Sequence, residues 1–258
     1  AIKLSYNKVV KTGGKMFLKN YGISLDNIKQ EVSDKGYISI NPFGFKNLVN
    51  SARIEYLELK NEVSISSGKE HFDYKDIKTK PKRKLSISSK NSLGESYAQC
   101  LQTTFLDCRS SKYKSLNEIF QLMLSLRNTL MEVDINFGFN PLVEKFWNAS
   151  RIHDYPRGGG FMTIHKDTYF DAALKNENMP FYQILVPLSK KGRDFYEGGG
   201  VLIDKNNRKI NTDDECGMGS IVVFDGKIYH GVEDIDSGEI VDFNSSDGRV
   251  AMFANVYS

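Results

Sequence analysis

Apolar residues recur at three- and four-residue spacing from Ser115 to Val133, the spacing of one helix face. Ser115 and Glu118 stand at the positions of an N-terminal capping box, so the helix is expected to begin there. A shorter segment, Leu25–Val32, also predicts a helix. Apolar spacing elsewhere in residues 1–145 is irregular, and Lys and Ser are frequent. This part of the chain therefore predicts a mixed, partly helical portion.

The chain changes character near residue 146. Beyond it, short apolar runs alternate with glycine clusters, which is typical of β-strands joined by tight turns. The runs are Phe161–Ile164, Phe181–Val186, Gly198–Ile203, Gly219–Phe224 and Val250–Val256. No helices alternate with them, so a parallel α/β fold is not expected. The pattern predicts an α+β protein in one integrated domain, with residues 1–145 supporting or capping an antiparallel sandwich or barrel formed by residues 146–258.

Composition excludes several classes of protein. The 258 residues are 40% hydrophobic and 26% charged, which argues against low-complexity disorder and collagen. No apolar run approaches the roughly 20 residues that span a bilayer. Lys and Arg number 35 against 32 Asp and Glu, a net charge of +3. This balance does not indicate nucleic acid or a membrane as a partner.

Three cysteines without a CxxC pair favour a reducing compartment over a disulfide framework. The segment Ala1–Ser5 shows no signal-peptide pattern, so a cytoplasmic protein is expected. The basic run Lys78–Lys84 is interrupted by Pro81 and predicts a solvated loop. Contact between this run and an anionic substrate or partner is the alternative.

The candidate chemistry begins with histidine. Two of the four histidines have Asp two positions later, in His71–Asp73 and His165–Asp167. On a strand, side chains two residues apart project to the same face and can bind one metal ion. His71–Asp73 lies in a polar, Lys-rich stretch, whereas His165–Asp167 follows a glycine-rich turn and a short apolar strand. The second pair is therefore the stronger candidate.

Two more residues follow in a matching strand setting. His230 comes shortly after the apolar run Gly219–Phe224, and Arg249 stands at the start of the last strand. Two histidines and one carboxylate form the facial ligand set of non-haem iron(II) oxygenases. Arginine offers a rigid bidentate fork for a carboxylate. The order of these four residues along the chain is a more specific signal of such a site than any one of the residues alone.

This order resembles the Fe(II)/2-oxoglutarate-dependent dioxygenases of the double-stranded β-helix (jelly-roll, cupin-like) fold, with a prolyl-hydroxylase-like pattern. The resemblance extends over about residues 151–257. It implies that His165, Asp167 and His230 bind Fe(II) and that Arg249 pairs with the 5-carboxylate of 2-oxoglutarate.

Two details refine what the resemblance implies. Prolyl-hydroxylase-like members place a tyrosine before the first histidine, and Tyr155 lies ten residues before His165. Tyr155 is therefore also expected at the cosubstrate. Related halogenases replace the carboxylate ligand with a small residue, so the presence of Asp167 disfavours halogenation.

Three further residues are expected near the substrate. Gln183 stands between apolar neighbours on a strand predicted to cross the barrel near the metal, where it could bind substrate or cosubstrate, face solvent or pair structurally. Arg157 and Arg193 lie in predicted loops near the mouth of the barrel, where they could bind a substrate carboxylate.

The resemblance implies an oxidoreductase that hydroxylates or desaturates its substrate, uses dioxygen, and decarboxylates 2-oxoglutarate to succinate and CO2. We expect a small polar metabolite, such as an amino acid or a natural-product intermediate, as substrate. The alternatives are a protein or peptide hydroxylase and a non-redox, cupin-like metal-binding protein. The sequence does not indicate an oligomeric state.

Overall fold

The computed structural model describes residues 19–67, 70–90, 97–110, 112–139, 146–168, 174–175 and 179–257. The helices are α1 (Leu25–Lys35), α2 (Phe45–Glu62), α3 (Tyr74–Thr79), α4 (Lys114–Leu130) and α5 (Thr212–Glu215). The first strands are β1 (Tyr37–Ile40), β2 (Ile65–Ser67), β3 (Lys82–Ile87), β4 (Gln99–Leu106), β5 (Trp147–Pro156) and β6 (Gly160–His165). The others are β7 (Tyr182–Pro187), β8 (Gly199–Ile203), β9 (Lys209–Asn211), β10 (Ile221–Asp225), β11 (His230–Ile235) and β12 (Gly248–Tyr257).

All twelve strands belong to one sheet with the order β1-β10-β7-β12-β5-β4-β6-β11-β8-β9, and β3 and β2 extend from β4. Every pairing is antiparallel except that of β2 with β3. Strand β4 comes from the first half of the chain but lies between β5 and β6. The two portions expected on either side of residue 145 thus share one sheet. The boundary itself adjoins residues 140–145, outside the described residues, and stays a prediction.

Alternation along the strands gives the sheet two different faces. On β7, Ile184 and Val186 are buried in the cluster that also contains apolar residues of α1, α2 and α4, whereas Gln183 and Leu185 face a cavity on the other side. Residues from β5 to β8 and from β10 to β12 line this same cavity, so the sheet is curled around it. Helices α1, α2 and α4 cover the outer face, and the inner face lines the cavity.

The two predicted helices are confirmed as α4 and α1, but the predicted capping box is wrong. The N-cap of α4 is Tyr113, which makes no side-chain capping bond. The Glu55 carboxylate of α2 accepts instead from the backbone N–H groups of Ser115 and Leu116, both at 3.0 Å. Glu118 accepts from Tyr21 Oη at 2.7 Å. Glu55, which is distant in sequence, thus caps the start of α4 in place of a residue of the helix itself. No described helix is both long and apolar enough to cross a membrane.

The prediction of a solvated loop over Lys78–Lys84 is also wrong. Helix α3 ends at Thr79, and β3 begins at Lys82. Arg83 is 4% exposed and donates to the carbonyl oxygens of Lys60 and Val63, where α2 ends, and to Gln102 Oε1. A guanidinium has five N–H donors, and these acceptors allow it to be buried within the sheet.

Candidate metal centre

Two histidines face each other across neighbouring strands. His165 is the last residue of β6 and His230 the first residue of β11, and they are register partners. Asp167 follows β6 by two residues. One ligand atom from each of these three side chains lies within 4.8 Å of the other two. In the part of the chain that the structure describes, no second group of three metal-ligating side chains has this geometry.

The backbone orients both imidazole rings. His165 Nδ1 donates to the Thr163 carbonyl oxygen at 2.8 Å, and His230 Nδ1 donates to the Ile228 carbonyl oxygen at 3.1 Å. A carbonyl oxygen only accepts, so Nδ1 of each ring carries a proton and Nε2 is the nitrogen that can bind a metal ion. The two Nε2 atoms lie 3.5 and 3.6 Å from the Asp167 carboxylate oxygens. Both rings thus direct Nε2 to one point.

The carboxylate of Asp167 is held in its ionised form. Burial acts to raise its pKa, but hydrogen bonds and charge from His165 and His230 outweigh burial and hold the pKa well below its usual range. Gln183 Nε2 donates to Asp167 Oδ2 at 2.7 Å, and Gln183 is 1% exposed. Gln183 therefore lines the cavity as expected, with its amide nitrogen engaged by Asp167.

The three side chains open into a cavity of about 360 Å³ on the inner face of the sheet. This volume lies within the range of small-molecule sites. Besides the three candidate ligands, the polar, cationic and aromatic residues that line it include Lys84, Tyr97, Thr103, Phe105, Arg151, His153, Tyr155, Lys166, Gln183, Phe224, Arg249, Phe253 and Tyr257.

Arg249 is buried in the wall of this cavity and is 1% exposed. Its Nε donates to Asp213 Oδ2 at 2.7 Å, and Asp213 Oδ2 also accepts from the Gly200 amide at 2.6 Å. A side chain at Gly200 would collide with the guanidinium, so glycine is required for this close approach. Arg249 Nη1 is buried without a hydrogen-bond partner. An unpaired buried donor beside a cavity marks a position for an acceptor from a ligand.

Tyr155 lies next to Arg249. The two residues are register partners on β5 and β12, and the guanidinium carbon is 5.6 Å from the centre of the tyrosine ring. Burial raises the pKa of Tyr155, so its hydroxyl stays protonated. The hydroxyl lies 3.3 Å from His153 Nδ1. Burial, together with the positive charges of Arg151 and Arg249, lowers the pKa of His153, which is therefore neutral and is not part of the metal-ligating group.

No protein-family model matches the chain, and no curated protein matches it in sequence. Solved structures do match it in fold. A prolyl-4-hydroxylase from Pseudomonas putida is 15% identical with a TM-score of 0.53, covering 90% of this chain and 97% of that one. A Trichoplax adhaerens prolyl hydroxylase, in complex with a peptide fragment of the hypoxia inducible factor oxygen degradation domain, is 13% identical with a TM-score of 0.55, covering 93% and 90%.

A third similar structure is that of an epimerase and not of a hydroxylase. The non-haem α-ketoglutarate-dependent epimerase SnoN of nogalamycin biosynthesis is 9% identical with a TM-score of 0.51, covering 91% of this chain and 82% of that one. The chain has the fold of the Fe(II)/2-oxoglutarate-dependent oxygenases. The double-stranded β-helix expected from the sequence is thereby confirmed, and the likeness extends well beyond residues 151–257.

The residues at this site suit a metal ion and a carboxylate ligand. Two imidazole nitrogens and one carboxylate are ligand types that Fe(II) accepts while keeping positions open. The unpaired Arg249 Nη1 suits a carboxylate such as that of 2-oxoglutarate.

The structure does not bring Arg157 or Arg193 to the cavity. Arg157 pairs with Asp236 at 2.6 Å and with Glu239 at 3.0 Å. Arg193 pairs with Asp194 at 2.8 Å. The substrate contacts expected of both arginines are therefore unsupported, because carboxylates of the protein already hold them outside the site.

Several residues at this site were missed in the sequence. Tyr97 stacks on His165 with ring centres 4.3 Å apart, and Asp213 anchors Arg249. Neither carries a local signal, because each is brought in by tertiary structure. Arg151 had a signal: with His153 and Tyr155 it forms an alternating series on one strand, which predicts a shared face.

Proposed function

We propose that the protein is an Fe(II)/2-oxoglutarate-dependent oxygenase that hydroxylates or desaturates a small polar metabolite, such as an amino acid or a natural-product intermediate. One observation carries the proposal. The candidate ligands His165, Asp167 and His230 line the same cavity as Arg249, whose buried Nη1 has no hydrogen-bond partner. A metal site and a carboxylate anchor together are what cosubstrate-dependent oxygenation requires.

In this proposal His165, Asp167 and His230 hold the iron, and Arg249 holds the 5-carboxylate of 2-oxoglutarate with Tyr155 beside it. Bound iron supplies the redox chemistry that couples decarboxylation of 2-oxoglutarate, to succinate and CO2, with oxidation of a C–H bond by dioxygen. Asp213 fixes the guanidinium through Nε and leaves Nη1 for the cosubstrate. Because Arg249 is buried, this interaction is weakly screened by solvent.

The size of the cavity supports a small substrate. Its volume of about 360 Å³ is near the lower end of the range for small-molecule sites, and 2-oxoglutarate occupies part of it in this proposal.

A protein or peptide hydroxylase is the second candidate. Two of the similar structures are prolyl hydroxylases, and each covers at least 90% of this chain. Mass spectrometry after incubation with metabolite and peptide pools distinguishes the candidates, since the added oxygen appears in one pool or the other. A non-redox, cupin-like metal-binding protein is disfavoured by the buried arginine, which such a protein does not need.

The first test is anaerobic difference spectroscopy with Fe(II) and 2-oxoglutarate. Chelation of the cosubstrate is expected to give a weak visible charge-transfer band. The band is lost in His165→Ala. In Arg249→Lys, which keeps a charge beside Asp213 but removes the fork, 2-oxoglutarate binds about tenfold more weakly.

Arg193→Lys serves as the matched control, because that arginine lies outside the cavity, and its band is expected to be unchanged. Absence of the band in the folded, iron-loaded protein overturns the proposal and favours a non-redox metal-binding protein.

A further inference from the structure

A pair of cations, Lys84 and Arg151, lines the cavity in addition to Arg249. Arg151 lies on β5 four residues before Tyr155, the register partner of Arg249. At about 3.3 Å per residue, this places the two arginines on levels about 13 Å apart along the strand. Lys84 lies on β3 and reaches the same end of the cavity, with Nζ 5.7 Å from the Phe105 ring centre. Phe105 is in turn the register partner of Arg151.

No carboxylate of the described residues pairs with Lys84 or Arg151. Arg151 Nη1 donates to Tyr257 Oη at 2.8 Å, and Arg151 Nε is buried without a partner. Burial, and next the positive charge of Arg151, lowers the pKa of Lys84. Two half-buried like charges are therefore close enough to repel each other.

Other buried cations have acceptors from the protein itself. Arg83 and Arg127 donate to backbone carbonyl or side-chain amide oxygens, and three more cations pair with carboxylates. The pairs are Arg53–Asp194 at 3.1 Å, Lys60–Asp154 at 2.7 Å and Arg249–Asp213 at 2.7 Å. Burying a charge without a partner is costly, so an uncompensated cation pair in a cavity wall points to an anion from outside the chain.

We propose that Lys84 and Arg151 bind an anionic group, a carboxylate or a phosphate, of the oxidised substrate. The substrate is then a small anion whose remaining body packs against Phe105, Phe253 and Tyr257, which line the same end of the cavity. A guanidinium fork and a neighbouring ammonium suit the oxygens of either anion. Because Arg151 and Arg249 stand on different levels of the sheet, 2-oxoglutarate held by Arg249 leaves Lys84 and Arg151 for the substrate in this proposal. The proposal rests on the proposed function, because it names the substrate of that same site.

Binding of small probes tests the pair without requiring turnover. Phenyl phosphate, benzoate and the neutral isostere benzamide are titrated by calorimetry into the full chain saturated with Mn(II) and 2-oxoglutarate, so that Arg249 is occupied. At least one anion is expected to bind about tenfold or more tightly than benzamide. Comparison of the two anions identifies the preferred group.

Lys84→Met and Arg151→Met are each expected to weaken binding of the preferred anion about tenfold or more. Lys82→Met is the matched control, because Lys82 is on the same strand but does not line the cavity, and its affinity is expected to be unchanged. Lys84→Met is also expected to keep or raise the melting temperature, because it removes an uncompensated charge. A clear loss of stability in that variant assigns the lysine a structural role and overturns the proposal.

Equal binding of benzamide and both anions, or unchanged anion affinity in both cavity variants, also overturns the proposal. These results leave the proposed function standing if 2-oxoglutarate still gives the charge-transfer band. Conversely, if the band is absent but the anion binds and depends on Lys84 and Arg151, the anion site stands as a binding site and the proposed oxygenase function fails.

Discussion

The segments His71–Asp73 and His165–Asp167 have the same spacing, but only the second contributes to the candidate metal site. In the first, the Asp73 carboxylate accepts from the Asp76 amide at 3.0 Å and caps helix α3, while His71 is exposed. In the second, both side chains meet His230 at one point in a cavity. Spacing within a segment is therefore insufficient, and the cross-strand partner makes the difference.

The two aspartates also have lowered pKa values for different reasons. For Asp73, the backbone N–H of Asp76 is the main cause. For Asp167, burial acts to raise the pKa, and the two imidazoles outweigh it. The first carboxylate is satisfied by its own helix. The second is kept ionised by two imidazoles whose Nε2 atoms are directed at it, and a bound cation would take the place of their protons.

Removing a ligand gives the largest expected contrast between the two segments. His165→Ala and Asp167→Ala are each expected to lower Fe(II) affinity by more than the about 10- to 100-fold that changes to outer-shell partners cost, because each removes a ligand atom. Equilibrium dialysis against Fe(II), with Co(II) as an air-stable substitute, measures the affinity.

His71→Ala and Asp73→Ala are the matched controls within the same chain, and their affinity is expected to equal that of the unaltered protein. If the two segments lose affinity equally, the distinction drawn between them is wrong.

Gln183 sharpens the contrast, because no buried amide side chain among the described residues donates to the Asp73 carboxylate. Gln183→Met keeps the length of the side chain but removes the donor to Asp167 Oδ2. Fe(II) affinity is expected to fall about 10- to 100-fold, as for other residues that orient metal ligands.

Gln99→Met is the control, since Gln99 also lines the cavity but no hydrogen bond joins its side chain to Asp167. Metal affinity in the Gln183 variant equal to that in the Gln99 variant would show that the hydrogen bond does not position the ligand.

Five strands of the second half and two helices were predictable, because apolar runs between glycine clusters and three-to-four spacing are local signals. The three candidate ligands were found by their order and strand setting. The insertion of β4 between β5 and β6 was not predictable, because strand pairing between distant segments leaves no local mark. Three other features also depend on contacts between distant segments, and no local pattern predicts them. They are the Glu55 cap, the Asp213 anchor and the contact of Tyr97 with His165.

The smallest expected effect belongs to Asp73. Asp73→Ala removes the cap of α3 and is expected to lower the melting temperature slightly at about pH 7 without changing Fe(II) affinity. The pKa of Asp73 is lowered in the folded protein, so its stabilisation is present above the ordinary value of 3.8 and is lost as the pH falls through the lower folded value. The melting-temperature difference between the unaltered protein and the variant is therefore expected to narrow below about pH 3.8. A melting-temperature difference that stays constant across that range would mean that the charge of Asp73 does not contribute to the cap. A loss of Fe(II) affinity in Asp73→Ala would mean that the segment His71–Asp73 does take part in metal binding.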